Sequence, residues 1–294
     1  MTAPMTAAPS ELPTVPHRYV LSTGIELAAD TWGDATAAPV VLLHGGGQTR
    51  HAWSGTGVAL ARDGFFVASC DLRGHGESSW PDDGDYSLDA FVDDVTALST
   101  QFATLPVLVG ASLGGLSSLF AVAMAERPIA RALVLVDIAT RTEPAGVEKI
   151  VAFMRAAPEG FASLEEAADL IASYLSHRPR PKDLDGLRKN LRHGADGRWR
   201  WHWDPRFIDG IRRPRVIDKQ EMLDEAARKL NLPTLLVRGR MSDIVSEEGA
   251  RHFLDLAPHA QFVDVAGAGH MVAGDRNDAF TDAVRSFLRD LPPV

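Results

Sequence analysis

The sequence is short of cysteine and of long apolar runs. Its single cysteine, Cys70, stands alone among 294 residues, so the chain lacks a partner for an intramolecular disulfide or a cysteine pair for a zinc site. We interpret Cys70 as a small, buried apolar residue in a protein from a reducing compartment. No segment approaches the ~20 consecutive apolar residues of a membrane span, and the Ala-, Pro- and Thr-rich start differs from a secretory signal. These absences predict a soluble, cytoplasmic protein without a membrane partner.

Positive charge is also in deficit. Lys and Arg number 30 against 39 Asp and Glu, which gives a formal net charge of -9 at pH 7. Such a surface repels the phosphates of nucleic acids, so we expect no nucleic-acid partner. The chain also lacks a cysteine-based metal motif and a Walker-type phosphate loop, and we expect neither a metal nor a cofactor. The oligomeric state is left open, a homodimer included.

Short apolar runs alternate with segments of helical periodicity from Pro39 onward, which predicts a mostly parallel sheet with helices on both faces. Before this region, an alternating pattern between Arg18 and Trp32 predicts an antiparallel hairpin. The other predicted strands are 40–43, 65–69, 107–109, 132–136, 234–237 and 261–265, and the predicted helices are 57–62, 87–102, 113–126, 246–256 and 278–288. The pattern therefore predicts an eight-stranded α/β fold.

Residues 140–231 interrupt the alternation with helical patterns, proline-containing turns and a cluster of Arg and Trp. We predict a helical cap inserted over the carboxyl ends of the strands, where sheets of this kind bind ligands. The chain then divides into a flexible arm at 1–16, a core domain formed by 17–139 and 232–294, and the cap.

A serine with a distinctive setting follows the predicted strand 107–109. The segment Gly110-Ala111-Ser112-Leu113-Gly114 is a G-x-S-x-G turn between this strand and a predicted helix. Small residues on both sides permit a sharp, strained turn that holds the hydroxyl clear of the sheet and near the helix N-terminus. We predict that Ser112 is a nucleophile.

A serine nucleophile needs a base and a carboxylate that orients the base. His270 is the candidate base, because it follows the last predicted strand on the permissive loop 266–269. Two carboxylates compete for the acid role, since Asp243 comes soon after strand 234–237 and Asp137 comes directly after strand 132–136. The residues alone leave both candidates open.

Backbone amides are the expected donors to the oxyanion of an acyl-transfer intermediate. The Leu113 N–H follows the nucleophile, and the glycine loop His44-Gly45-Gly46-Gly47 follows strand 40–43. We choose Gly46 as the second donor and expect His44 to brace the loop.

Taken together, these motifs resemble those of the α/β-hydrolase superfamily over residues 39–291. The matching landmarks are His44-Gly45-Gly46-Gly47, Asp71-Leu72-Arg73-Gly74-His75-Gly76-Glu77-Ser78, the Ser112 turn, residues 239–243 and Gly269-His270. The resemblance implies a Ser-Asp-His triad, and on this analogy we favour Asp243 over Asp137 as the acid. The 71–78 turn is similar to that of epoxide hydrolases and haloalkane dehalogenases, but those families carry an aspartate where this chain has Ser112.

The resemblance implies hydrolysis of a small hydrophobic carboxylic ester or a lactone. Carbon-carbon bond hydrolases share the triad but commonly carry Trp where Met271 stands, and cofactor-free perhydrolases usually carry an aromatic residue at the position of Gly46. A third alternative, from another class, is a small-molecule receptor with a slow triad.

Four residues are candidates for substrate contact: Gly45, Trp53, Met271 and Trp201. Trp201 belongs to the cap segment Arg198-Trp199-Arg200-Trp201-His202-Trp203-Asp204-Pro205, whose tryptophans could equally anchor the cap by packing. The glycine loop is expected to leave room for bulky acyl groups.

Overall fold

The central strands are aliphatic along their length because helices cover both faces of the sheet. The computed structural model describes residues 12–175, 180, 184–211, 220–275 and 277–293. Its strands are β1 Val15–Val20, β2 Glu26–Trp32, β3 Pro39–Leu43, β4 Phe66–Cys70, β5 Val107–Ala111, β6 Ala132–Val136, β7 Leu191–His193, β8 Trp199–Trp201, β9 Thr234–Gly239 and β10 Gln261–Val265.

Eight of these strands form one sheet in the order β1-β2-β4-β3-β5-β6-β9-β10. The strand β2 pairs antiparallel with both β1 and β4, and every other neighbouring pair is parallel. The predicted fold, a mostly parallel eight-stranded α/β sheet with an entry hairpin, is therefore confirmed. Most of the predicted flexible arm lies outside the described residues, and β1 already begins at Val15.

Ten α-helices occur in the described part of the chain, besides two short 3-10 helices at Arg50–Trp53 and Asp185–Asn190. They are α1 Ser54–Arg62, α2 Leu88–Ser99, α3 Leu113–Met124, α4 Pro144–Arg155, α5 Leu164–Tyr174, α6 Arg206–Asp209, α7 Gln220–Arg228, α8 Glu247–Leu256, α9 Val272–Asp275 and α10 Asn277–Arg289. Serine N-caps start several of them: Ser87 accepts the Ala90 N–H at α2, and Ser246 accepts the Gly249 N–H at α8. None of the described helices is long and apolar enough to cross a membrane.

Successive residues of β3 point to opposite faces, as the period of a strand requires. Val41 and Leu43 join a core cluster that includes residues of α2, α3, α7 and α8, whereas Val40 and Leu42 pack with residues of α1 and α10. The sheet thus separates two hydrophobic cores and leaves its strand ends free to carry polar groups.

The predicted cap region differs from the expectation in two ways. It contains a short hairpin, β7 paired with β8, in addition to its helices, because Trp199 and Trp201 alternate with Arg200 at the period of a strand. In addition, α7 buries Leu223 and Ala227 in the core against α3 and α8. This helix, within the predicted cap region, therefore packs in the core of the main domain.

Candidate active site

Three strands of the parallel sheet carry polar side chains beyond their carboxyl ends, at one edge. Ser112 follows β5, Asp137 follows β6 and His270 lies on the loop after β10. Since β5 pairs with β6, and β9 lies between β6 and β10, the His270 loop must cross the end of β9 to reach Asp137. The crossing is close: a Cβ added to Gly239 would lie 2.2 Å from the Gly269 carbonyl oxygen.

The turn at Ser112 has the strained geometry that its sequence predicts. Ser112 adopts φ 45° and ψ -111°, which residues other than glycine rarely do. A Cβ at Gly110 would lie 2.5 Å from the Gly114 carbonyl oxygen, and one at Gly114 would lie 2.5 Å from that of Leu43. The two glycines therefore allow α3 to begin directly against the strand ends, with the Ser112 hydroxyl at its N-terminus.

Asp137 contacts the imidazole of His270. Its Oδ2 lies 2.7 Å from His270 Nδ1, and its Oδ1 accepts the Gly239 N–H at 2.9 Å. Asp137 is fully buried, whereas the His270 side chain is 13% exposed and remains accessible. A buried carboxylate that accepts the Nδ1–H holds the ring in the tautomer whose Nε2 can act as a base.

The preference for Asp243 as the acid is corrected by this geometry. The Asp243 side chain is 47% exposed and forms an ion pair with Lys149 at 2.9 Å. The chain turns sharply after β9, with the Ser242 N–H bonded to the Gly239 carbonyl, and this turn directs Ser242 toward Asp137 while Asp243 faces α4. The analogy rested on chain order, and an acid at Asp137 satisfies the same order.

His44 sets the direction of one peptide in the glycine loop. Its Nδ1 donates to the Gly45 carbonyl at 2.8 Å, and its Nε2 accepts the Leu72 N–H at 2.9 Å, which fixes the tautomer. Because the Gly45–Gly46 peptide is trans, the Gly46 N–H points opposite to the carbonyl that His44 holds. The predicted bracing role of His44 agrees with these contacts.

The other amides of the glycine loop are already used. The Gly45 N–H donates to Gln48 Oε1 at 3.0 Å, and the Gly47 N–H donates to His75 Nε2 at 3.1 Å. In the described part of the chain the Gly46 N–H has no such acceptor. The loop also lies beside Ser112, since a Cβ on Gly45 would be 3.2 Å from the Ser112 Cβ. Gly46 is thus the amide of this loop that remains available to a ligand.

His202 of the cap forms a hydrogen bond with the same glycine loop. His202 Nδ1 accepts the Gly76 N–H at 2.8 Å, so its Nε2–H is left to donate to the Gly47 carbonyl at 3.3 Å. Burial lowers the pKa of His44 to about 4 and that of His75 to about 3, and it holds the pKa of His202 well below its ordinary value. All three rings are therefore neutral near pH 7, as their hydrogen bonds require.

Two cap side chains cover the glycine loop. A Cβ on Gly46 would lie 3.3 Å from Phe207 Cζ, and one on Gly47 would lie 2.9 Å from Met154 Cε. These two side chains therefore occupy part of the space that the sequence was expected to leave for bulky acyl groups. Sequence reasoning missed Phe207 because no local pattern tells which cap residue will lie over a loop some 160 positions earlier.

Two of the four predicted substrate contacts lie next to Ser112 or His270, and the other two pack elsewhere. Gly45 lies beside Ser112, and Met271 directly follows His270, where its carbonyl accepts N–H groups of α9. Trp53 is only 1% exposed and packs on Phe280 in the main-domain core, with ring centroids 5.5 Å apart, so it is a core residue. Trp201 belongs to the cap's own packing: it stacks on Trp203 at 4.8 Å and donates to the Ala156 carbonyl.

The turn at residues 71–78 is tied to α2 by an ion pair. Arg73 forms a two-bond ion pair with Asp94 of α2, both bonds 2.6 Å long. The cap docks on this turn through the Asp204 N–H, which donates to the Gly74 carbonyl at 2.9 Å.

Among the described residues no group of three or more His, Cys, Asp and Glu side chains could hold a metal ion.

Comparison with known proteins identifies the family of this chain. Residues 38–276 match the sequence profile of the family described as alpha/beta hydrolase fold. The chain belongs to the α/β-hydrolase family. The esterase Rv0045c of Mycobacterium tuberculosis is 31% identical to this α/β hydrolase over 274 residues, which cover 89% of this chain and 86% of that protein. The 3-hydroxybutyrate-oligomer hydrolase of Cupriavidus necator is 30% identical over 256 residues, which cover 83% and 86%.

Solved structures share the architecture. The crystal structure of E-2-(acetamidomethylene)succinate hydrolase matches this α/β hydrolase with a TM-score of 0.80 over 94% of this chain and 100% of that chain, at 23% identity, which shows the fold alone. A crystal structure of esterase Rv0045c matches with a TM-score of 0.73 at 28% identity, over 94% and 92% of the two chains. The family match and the esterase relatives support a hydrolytic enzyme.

Proposed function

We propose that this α/β hydrolase cleaves a small carboxylic ester or lactone through an acyl-enzyme on Ser112. His270 is the base, Asp137 orients it, and the N–H groups of Gly46 and Leu113 bind the oxyanion. The observation that carries the proposal is the 2.7 Å contact between Asp137 and His270 at the sheet edge where Ser112 stands on its strained turn.

Each residue has a defined task in the reaction. His270 takes the hydroxyl proton as Ser112 Oγ bonds to the carbonyl carbon, and Asp137 stabilises the imidazolium that forms. The negative oxygen of the tetrahedral intermediate is held by Leu113, whose N–H is the first of α3 and is not used by the helix, and by Gly46. The intermediate then expels the alkoxide, which receives the proton from His270.

Water completes the cycle by the same route. His270 removes a proton from water as the water oxygen attacks the acyl carbon, and the Ser112 oxygen leaves with that proton. A lactone differs only in that its alcohol remains attached to the acyl group, so both products leave as one hydroxy acid. The ester class is supported by relatives named as an esterase and an oligomer hydrolase of 3-hydroxybutyrate.

Turnover of p-nitrophenyl acetate and butyrate, a panel of lactones and labelling by a fluorophosphonate test this proposal together. The wild-type protein is expected to hydrolyse the esters and to take up one label, and Ser112→Ala is expected to do neither. A Ser112→Ala protein that still takes up the label would show that another residue is the nucleophile. A folded wild-type protein that neither labels nor turns over any substrate would favour the receptor alternative.

A further inference from the structure

The buried carboxylate of Asp137 accepts a third hydrogen bond that the triad does not include. Besides the bonds from His270 and from the Gly239 N–H, its Oδ2 receives the Ser242 hydroxyl at 2.5 Å. The same carboxylate oxygen therefore serves His270 and Ser242. Ser242 can therefore influence His270 through the hydrogen bond that both residues make to Asp137.

The Ser242 hydroxyl donates its proton to Asp137 and accepts its other hydrogen bonds. Its Oγ accepts the N–H groups of Ile244 at 3.0 Å and Val245 at 3.1 Å, which occupy its lone pairs. The single O–H is then left for Asp137. The turn that carries Ser242 is itself closed by its N–H bonded to the Gly239 carbonyl at 2.9 Å, so the hydroxyl is held in place from several sides.

We propose that Ser242 is a positioning residue, which holds the carboxylate of Asp137 in the orientation that His270 needs. This inference rests on the proposed function. Asp137 is fully buried, so water does not solvate its charge, and donors from the protein must both stabilise the ionised form and fix the plane of the carboxylate. Without the hydroxyl, the carboxylate keeps one backbone donor and can rotate away from the imidazole, which reduces the fraction of His270 rings oriented for catalysis.

The matched control is Ser246, which belongs to the same loop. Like Ser242 it accepts a backbone N–H, that of Gly249 at 3.2 Å, but it caps α8 and makes no bond to Asp137. Removing either hydroxyl weakens the loop, and only removal of the Ser242 hydroxyl also affects the acid. Ser242→Thr keeps the hydroxyl, and Ser242→Cys keeps the size with a weaker donor.

The experiment compares kcat and KM for p-nitrophenyl butyrate in these variants and follows the Nδ1–H proton resonance of His270 by NMR. Ser242→Ala is expected to lower kcat about tenfold with KM changed less than about twofold, because the lost bond serves the chemical step. We expect the resonance to shift in Ser242→Ala, Ser242→Cys to give an intermediate kcat, and Ser242→Thr to restore both readouts. Ser246→Ala should leave both at wild-type values.

Two results would overturn the positioning role: a wild-type kcat in Ser242→Ala, or an equal loss of kcat in Ser246→Ala. Failure of the triad itself is distinguishable with Asp137→Asn. An active Asp137→Asn protein would reject the proposed triad, whereas an inactive Asp137→Asn beside a fully active Ser242→Ala would reject only the role of Ser242.

Discussion

His202 of the cap donates to the carbonyl of Gly47 in the glycine loop, with 3.3 Å between Nε2 and the oxygen. The other ring nitrogen of His202 accepts the Gly76 N–H. One cap side chain therefore joins the glycine loop beside Ser112 to the charged turn at residues 71–78. Docking of the cap and the shape of the glycine loop are linked through this ring.

Replacing His202 by Ala should destabilise the protein and slow catalysis. The variant leaves the Gly76 N–H without its acceptor, and a buried unsatisfied donor costs about 1–3 kcal/mol of the free energy of unfolding. We expect a lower midpoint in urea unfolding and a lower kcat for p-nitrophenyl butyrate, since the Gly47 carbonyl is also released. His193→Ala, at an exposed cap histidine, is the control. Identical unfolding midpoints in the two variants would contradict the link.

The two candidate acids should respond very differently to amidation. Asp137→Asn is expected to lower kcat by about 10⁴-fold, the effect seen when the orienting acid of a serine triad is amidated and the histidine tautomer is wrong. Asp243→Asn removes only an exposed ion pair with Lys149, so its kcat should stay within about twofold of wild type. Steady-state kinetics of both proteins test which aspartate is the acid. A larger fall in kcat for Asp243→Asn than for Asp137→Asn would reverse the assignment.

Acid should destabilise the folded protein over a defined range of pH. The folded-state pKa is lowered from 6.5 to about 4 for His44 and to about 3 for His75, and well below 6.5 for His202. As the pH falls below 6.5, these three histidines therefore bind protons in the unfolded state but not in the folded state. The stability contributed by the neutral rings is complete above pH 6.5 and is lost as the pH falls toward 4 and 3.

Urea unfolding at pH 7 and pH 5 measures this effect, in a range where most carboxylates stay ionised. Each linked proton lowers the free energy of unfolding by about 1.4 kcal/mol per pH unit. His75→Gln removes one of the three groups and should show a shallower fall. Equal stability of the wild-type protein at the two pH values would count against three buried neutral histidines.

Met154 should limit the length of the acyl chain. It lies over Gly47, and shortening it to Ala opens space above the glycine loop. We expect the ratio of kcat/KM for p-nitrophenyl octanoate over acetate to rise about tenfold in Met154→Ala, the scale of discrimination by small apolar contacts. The ratio does not depend on how much of the variant is folded. Met222→Ala, at an exposed methionine of α7, should leave the ratio unchanged, and no change in Met154→Ala would remove Met154 from the acyl site.

Local pattern predicted the sheet and the strained turn at Ser112. Aliphatic runs with β-branched residues can be buried on both faces only as central strands, so the alternation predicted the parallel sheet and the edge where Ser112 stands. The glycines at positions 110 and 114 indicated this turn, because a sharp turn at Ser112 leaves no room for a side chain at either position. His270 and Gly46 became candidates because they lie on loops that follow predicted strands.

The contact between His270 and Asp137 and the cover over the glycine loop depend on tertiary structure. Asp137 and Asp243 follow adjacent strands, β6 and β9, and which of them meets His270 depends on the turn at Ser242, which strand periodicity does not encode. Likewise, Phe207 and Met154 reach the glycine loop only because the cap docks through His202 and Asp204. Contacts between segments so distant in the chain are fixed by packing of the whole fold, and no local pattern of residues records them.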